Sequence, residues 1–222
     1  MPLILNIETA TKNCSVSLAK NGKTIAIAEV ADQNYSHAEK LHAFIGDLLS
    51  ENNLEYSNLN AVAVSQGPGS YTGLRIGVSA AKGLCYALDI PLIAINTLNS
   101  IAAAKIIETG YLIPMIDARR QEVYMSVFNA NGEEVQPTSA QIIDVTSFED
   151  LEGEIHFLGD GCAKFKGLFT DSRFVFHNDV PFPSASQMSK LSFEKFQLSS
   201  FEDVAYFEPY YFKDFIVPTK KK

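Results

Sequence analysis

Three glycines punctuate the stretch Ser-Gln-Gly-Pro-Gly-Ser-Tyr-Thr-Gly-Leu-Arg, residues 65–75, between an apolar run and a long segment of small residues. Such turns hold phosphates when their backbone N–H groups stay free and a helix begins behind them. The spacing here fits neither established pattern. A P-loop closes on Gly-Lys-Ser/Thr, whereas Gly73 is followed by Leu74 and Arg75. The dinucleotide pattern Gly-x-Gly-x-x-Gly is missed because the third glycine, after Gly67 and Gly69, comes one residue late. What remains is the anion affinity of a helix N-terminus over Gly69 to Thr72.

Two carboxylates stand at the ends of apolar runs: Glu8 after Leu3–Ile7 and Asp117 after Leu112–Ile116. Two roles are open to them. Facing each other across a cleft, they could place a metal beside a nucleotide's phosphates. Alternatively, they are turn residues that accept backbone hydrogen bonds. Other chemistry finds little support. His37 and His42 are five apart, about 140° around a helix, which is wrong for a shared metal. His156 and His177 lie in separate segments without companion ligands, and no His-Glu-x-x-His, Cys-x-x-Cys or Gly-x-Ser-x-Gly occurs. Cys14, Cys85 and Cys162 sit in apolar or small-residue company, as core thiols do. No metal site is expected.

The elements that must position these groups follow from periodicity. Leu3–Ile7, Cys14–Ala19 and Thr24–Val30 read as strands, with Asn21-Gly22 as a tight hairpin turn. A capping box, Ser36 with Glu39, opens a helix that runs to Glu51 with Ala38, Leu41, Ile45, Leu48 and Leu49 at helical spacing. A strand at Ala61–Ser65 leads through the glycine turn into a second helix, Thr72–Leu88. On that helix Gly73, Gly77, Ala80, Leu84 and Ala87 share one arc, opposite Arg75, Ser79, Lys82 and Tyr86. Each helical glycine costs about 1 kcal/mol against alanine, so the stripe must allow close packing. Its neighbour is either another helix of this chain or a partner subunit. On the second reading, Gly77→Leu would block pairing and spare the fold.

The start of the chain has a counterpart in its middle. Leu3–Gly22 and Leu112–Gly132 share the order strand, carboxylate, polar turn, strand, Asn-Gly; Glu8 matches Asp117. A chain of 222 residues accommodates two lobes of about 100 residues each. The boundary is expected near Ala94–Ser100, giving lobes 1–98 and 99–222, with the C-terminal segment able to pack back on the first. The formal net charge of −8 argues against gripping nucleic acid unaided, and Lys220, Lys221 and Lys222 read as a solvated end. The opening residues have neither a basic n-region nor a long apolar run, so a cytoplasmic protein without membrane contact is expected. No partner is assigned to the phenylalanines between 157 and 215.

Taken in order, ILNIETATKNCSVSL, SHAEKL, SQGPGSYTGLRIGVSAAKGL, NTLNSIA, DARRQEVYMSVF and EPYYFKDF resemble the TsaB (YeaZ) family of bacterial tRNA threonylcarbamoyladenosine biosynthesis proteins. These are non-proteolytic members of the glycoprotease M22 group. The resemblance implies an α/β, two-lobed, duplicated fold of the actin and sugar-kinase (ASKHA) type, with mixed sheets flanked by helices. It implies a non-catalytic dimerisation subunit of the complex that forms threonylcarbamoyladenosine beside the anticodon of tRNAs reading ANN codons. Its partners would be a TsaD-like catalytic subunit, a TsaE-like ATPase, a second copy when alone, and tRNA only through the complex. The TsaD His-x-x-x-His metal motif is absent here. The pairing surface would be the first two helices, with Leu41, Ile45, Leu48, Gly73, Gly77, Ala80, Ala81 and Leu84. A weak ATP or ADP site would use Glu8, Thr9, Gly69, Ser70 and Asp117, although the family's strand-end acid is usually Asp. No other cofactor is implied. An ATPase or kinase of the same superfold is the rival reading, and a glycoprotease-like peptidase a poorer third.

Overall fold

The computed structural model describes residues 1–31 and 37–212. The expected cap at Ser36 and the three terminal lysines lie outside those residues. Chain order runs β1 (Leu3–Glu8), β2 (Asn13–Lys20), β3 (Lys23–Ala31), α1 (His37–Glu51), β4 (Ala61–Gly67), α2 (Tyr71–Leu88) and β5 (Leu92–Asn96). Then come α3 (Thr97–Ala102), β6 (Tyr111–Asp117), β7 (Glu122–Asn129), β8 (Glu134–Ile142), β9 (Ile155–Leu158), β10 (Phe174–Phe176) and α4 (Met188–Gln197).

The strands form two five-stranded sheets, ordered β3-β2-β1-β4-β5 and β10-β9-β6-β7-β8. Within each, the first three strands pair antiparallel and the remaining two add parallel to the first. The same topology thus occurs twice. Glu8 and Asp117 end the equivalent strands β1 and β6, as the internal match requires. The two hairpins differ in detail. Asn21 and Gly22 both adopt positive φ, while in the second hairpin only Gly132 does and the Asn129 carboxamide oxygen accepts from Asn131 and Glu133 N–H, making a wider loop.

β1 is buried at every residue because sheet neighbours flank it and helices cover both faces. One face of the first sheet meets α1 and α2 through Leu5, Ile7, Val16, Leu41, Ile45 and Leu48. Its other face, Ile4, Ala61, Ala63, Ile93 and Ile95, is covered by Ala185 and Met188 from the C-terminal part of the chain. The second sheet's core includes stacked phenylalanines: Phe157 lies 5.3 Å from Phe148 and 5.9 Å from Phe174, ring centre to ring centre. α3 packs between the sheets, with Leu98 and Ile101 against Leu112 and Leu158.

From α4 the chain returns along the first lobe. The Lys195 ammonium donates to Ala94 O (2.8 Å) and Glu202 N–H donates to Leu92 O (2.9 Å). No helix among the described residues is long and apolar enough to cross a membrane.

Candidate functional site: a cleft and a helix groove

Two concavities flank the N-terminus of α2. The first is a cleft of about 890 Å³ between the lobes. Lys12 enters it from the β1–β2 turn, Asp117, Arg119 and Arg120 from the β6–β7 turn, Gly69 to Gly73 from the start of α2, and Tyr210 to Phe212 from the C-terminal segment.

The expected nucleotide residues meet here, but most of their polar groups are already engaged. Thr9 Oγ1 donates to Gly73 O (2.8 Å) and Ser70 N–H donates to Ala10 O (2.6 Å). The Ser70 side chain caps α2 by accepting from Gly73 N–H. Glu8 is fully buried beneath the turn. Its Oε1 accepts from Ala10 N–H (2.6 Å) and Ser65 Oγ (3.0 Å), and Oε2 finds no hydrogen bond among the described residues. Burial raises its pKa from 4.5 to about 7 against the lowering effect of those bonds. Asp117 Oδ1 accepts from Arg119 N–H at 2.6 Å and pairs with the Lys164 ammonium, while Asp117 N–H donates to Asp160 Oδ1. Burial in turn raises the Asp160 pKa. Each acid thus accepts a backbone N–H from its own turn, and among the described residues no group of three His, Cys, Asp or Glu is placed to hold a metal. Arg119 and Arg120 both adopt positive φ, 68° and 55°, which nothing in an Arg-Arg pair signals.

Gly73 and Gly77 of α2, with Gly69 just before it, prove to be spacers for the β1–β2 turn. A Cβ at Gly73 would lie 2.1 Å from Thr9 O, at Gly77 2.3 Å from Thr9 Oγ1, and at Gly69 2.4 Å from Ala10 O. The stripe packs inside the chain, against a turn rather than against a helix. Most of the expected pairing residues are thus engaged within the chain. Gly73, Gly77 and Ala81 are buried beneath the helix, and Leu41, Ile45 and Leu48 are at most 3% exposed in the core against the sheet. Gly77→Leu would therefore collide with Thr9 and damage the fold.

Of the expected interface residues, Ala80 and Leu84 do line a surface: the second concavity, a groove of about 690 Å³ between α1 and α2. Ala38 and His42 form one wall; Tyr71, Arg75, Ser79, Ala80, Gly83 and Leu84 form the other. Gly83 is open: among the described residues, nothing beyond its own stretch of helix backbone lies within 4 Å of an added Cβ. The face opposite the small-residue arc is partly in use. The Arg75 guanidinium lies 4.0 Å from the centre of the Tyr71 ring and donates through Nε to the Tyr211 hydroxyl (3.0 Å). The Lys82 ammonium donates to Ala205 O and Phe207 O.

A family model described as TsaD: tRNA N6-adenosine threonylcarbamoyltransferase matches residues 27–216. The tRNA threonylcarbamoyladenosine biosynthesis protein TsaB of Escherichia coli (strain K12) is 30% identical, covering 95% of this chain and 94% of its own. The chain belongs to the TsaB family. It accordingly acts in tRNA threonylcarbamoyladenosine biosynthesis. TsaB of Bacillus subtilis (strain 168) is 31% identical over 76% of this chain and 75% of its own. Among solved structures, YeaZ from Pseudomonas aeruginosa superposes with a TM-score of 0.79 at 23% identity, covering 95% of this chain and all of that one. The ethanolamine utilization protein EutJ from Carboxydothermus hydrogenoformans shares the fold more loosely, with a TM-score of 0.52 at 9% identity over 86% of this chain and 90% of its own.

Sequence reasoning missed the partners that consume the acids, Ser65 and Lys164, and the aromatic segment Tyr210–Phe212. It also separated His156 from His177. Parallel pairing of β9 with β10 brings them together, with Nδ1 of His156 3.0 Å from Nε2 of His177 and Glu154 Oε2 3.5 Å from the other His156 nitrogen. Burial and the neighbouring imidazole lower the His177 pKa.

Proposed function

We propose that this chain is the non-catalytic scaffold of a tRNA threonylcarbamoyladenosine-forming complex, and that the α1–α2 groove seats the helices of a TsaD-type catalytic subunit. The observation that carries this is the groove itself: small side chains and an open Gly83 line a cavity beside two long helices. Because this sequence also matches the TsaD model, a TsaD-type protein would present equivalent helices, and two like faces can close on each other about a pseudo-two-fold axis. In the absence of that subunit, a second copy of this chain would occupy the same groove. A TsaE-type ATPase joins the pair, and tRNA is reached through the complex in the cytoplasm, consistent with the formal charge of −8.

Catalytic silence is supported by the engaged acids. Glu8 is sealed beneath a turn and Asp117 is neutralised by Lys164, so a weak ATP or ADP complex at Thr9, Gly69 and Ser70 would lack a metal-placing carboxylate. The test is sedimentation of the purified chain with and without the TsaD-type subunit, alongside Gly83→Arg. The expected result is a complex for the parent and none for the variant at equal melting temperature. A parent that ignores the subunit would sink the reading. ATP turnover by the isolated chain, abolished by Asp117→Ala, would favour the kinase or ATPase rival instead.

A further inference from the structure

Beyond α4 the chain forms a strap along the outer side of α2, with Val204 and Phe207 packed against the first lobe's core and polar bonds along its length. Lys82 grips two of its carbonyls, Ala205 O at 3.2 Å and Phe207 O at 2.9 Å. Tyr210 N–H donates to Gln66 O at 2.7 Å. Tyr206 and Tyr210 are 84% and 51% exposed, so the tip of the strap is less buried than Val204 and Phe207 behind it.

The tip of the strap touches both concavities. Tyr211 packs on Tyr71, ring centres 5.0 Å apart, and its hydroxyl accepts from Arg75 Nε; Tyr71 and Arg75 are walls of the groove. One residue on, Phe212 lies in the cleft with its ring centre 5.6 Å from that of Tyr124, on β7 of the other lobe. A single short segment therefore joins the groove wall to the second sheet.

We infer that Tyr211 is a positioning residue for the partner surface, and that docking of the strap and occupation of the groove favour each other. The inference rests on the proposed groove. An arginine at a groove rim samples many rotamers, and a partner would have to freeze it. Here the Tyr71 face and the Tyr211 hydroxyl have already fixed Arg75, so that ordering cost is met before the partner arrives. Reciprocity follows from linkage: whatever factor the docked strap adds to partner affinity, the bound partner adds to strap docking. Through Phe212 and Tyr124, a seated partner would also hold the second lobe against the first.

The experiment measures binding of the TsaD-type subunit by calorimetry for the full-length chain and for Tyr211→Ala, Tyr211→Phe, Arg75→Ala and the double variant. Hydrogen exchange over residues 204–212 is followed in the free and bound states. Tyr211→Ala is expected to weaken binding about tenfold with the melting temperature nearly unchanged, and Tyr211→Phe to lose less because the ring stack remains. Arg75→Ala should cost about as much, and the double variant no more than either single change. Exchange of the strap should slow when the partner binds. Unchanged affinity for Tyr211→Ala, additive losses in the double variant, or a strap that exchanges as fast or faster in the complex would each overturn the inference. Gly83→Arg separates the two layers. If it binds as the parent does, the groove is not the seat and the inference fails with it; if it abolishes binding while Tyr211→Ala does not matter, only the strap's role falls.

Discussion

Glu8 spends folding energy to remain where it is, and pH reveals how much. In the folded chain its carboxyl keeps its proton up to about pH 7, whereas in the unfolded chain it ionises near 4.5. Stability contributed by the protonated form is fully present below pH 4.5, declines as pH rises from 4.5 to 7, and then levels off, since above 4.5 the folded state binds more protons than the unfolded. Glu8→Gln keeps an acceptor for Ala10 N–H and Ser65 and removes the charge. It is expected to flatten that decline and to be more stable than the parent at pH 8 by up to roughly 3 kcal/mol, read from denaturant melts at pH 5 and pH 8. His177 works in the other direction. Its lowered pKa means stability is lost as pH falls through 6.5, so a His177→Gln chain should lose less stability than the parent between pH 7 and pH 5 in the same melts. At this scale the sequence was half legible. The two strand-end acids could be matched by pattern, but their partners, Ser65 and Lys164, come from 57 and 47 residues away and leave no local trace. The turn-residue role was one of the two open to them in the sequence; the side chains that engage each carboxylate were not visible there.

A helix states its period more clearly than its orientation, and α2 illustrates the difference. Spacing predicted Thr72–Leu88 and the structure has Tyr71–Leu88, with Ser70 as the cap. The small-residue arc was also real. What the pattern could not give was its neighbour, because glycine marks close approach without saying to what. Gly73 and Gly77 turn out to make room for Thr9, and the open glycine is Gly83, outside that arc. The two kinds of glycine should respond oppositely to one methyl group. At Gly77 the new Cβ meets Thr9 Oγ1 at 2.3 Å, and Gly77→Ala is expected to destabilise by about 1–3 kcal/mol as the turn is pushed away. At Gly83 there is no obstacle, and Gly83→Ala should stabilise by about 0.5–1 kcal/mol through helix propensity alone. Thermal melts of the two variants decide it; a Gly77→Ala chain as stable as the parent would mean that the turn is not wedged against the helix.

For the molecule as a whole, duplication was legible but its closure was not. Matching hairpins at residues 3 and 112 anticipated two sheets of one topology, and both sheets indeed carry their first strand at the centre, with a two-strand antiparallel meander on one side and two strands in parallel pairing on the other. Nothing in the repeat announces that the two halves finish differently. The first sheet presents Ile4, Ala61, Ala63, Ile93 and Ile95 on the face away from α1 and α2, and among the described residues the side chains clustered with them come from the C-terminal part of the chain. The cover is Ala185, Met188 and α4, reached only after the second sheet is complete, and it is fastened by polar bonds: Ser17 Oγ to Ala185 O, Ser184 Oγ to Glu29, and Lys195 to Ala94 O. The lobes are therefore separate in topology but interdependent in stability. A chain ending at residue 98 would leave that apolar face in water, and contiguous exposed apolar surface favours aggregation. It is expected to be insoluble or molten on its own, and to regain a cooperative melt when a peptide spanning residues 183–212 is added in trans. Met188 is wholly buried against this face, so Met188→Ala in the full chain should cost about 2–5 kcal/mol in a chemical melt. A stable, cooperatively folding 1–98 fragment would show instead that the first lobe needs nothing from the second, and would leave the C-terminal return with the strap's work alone.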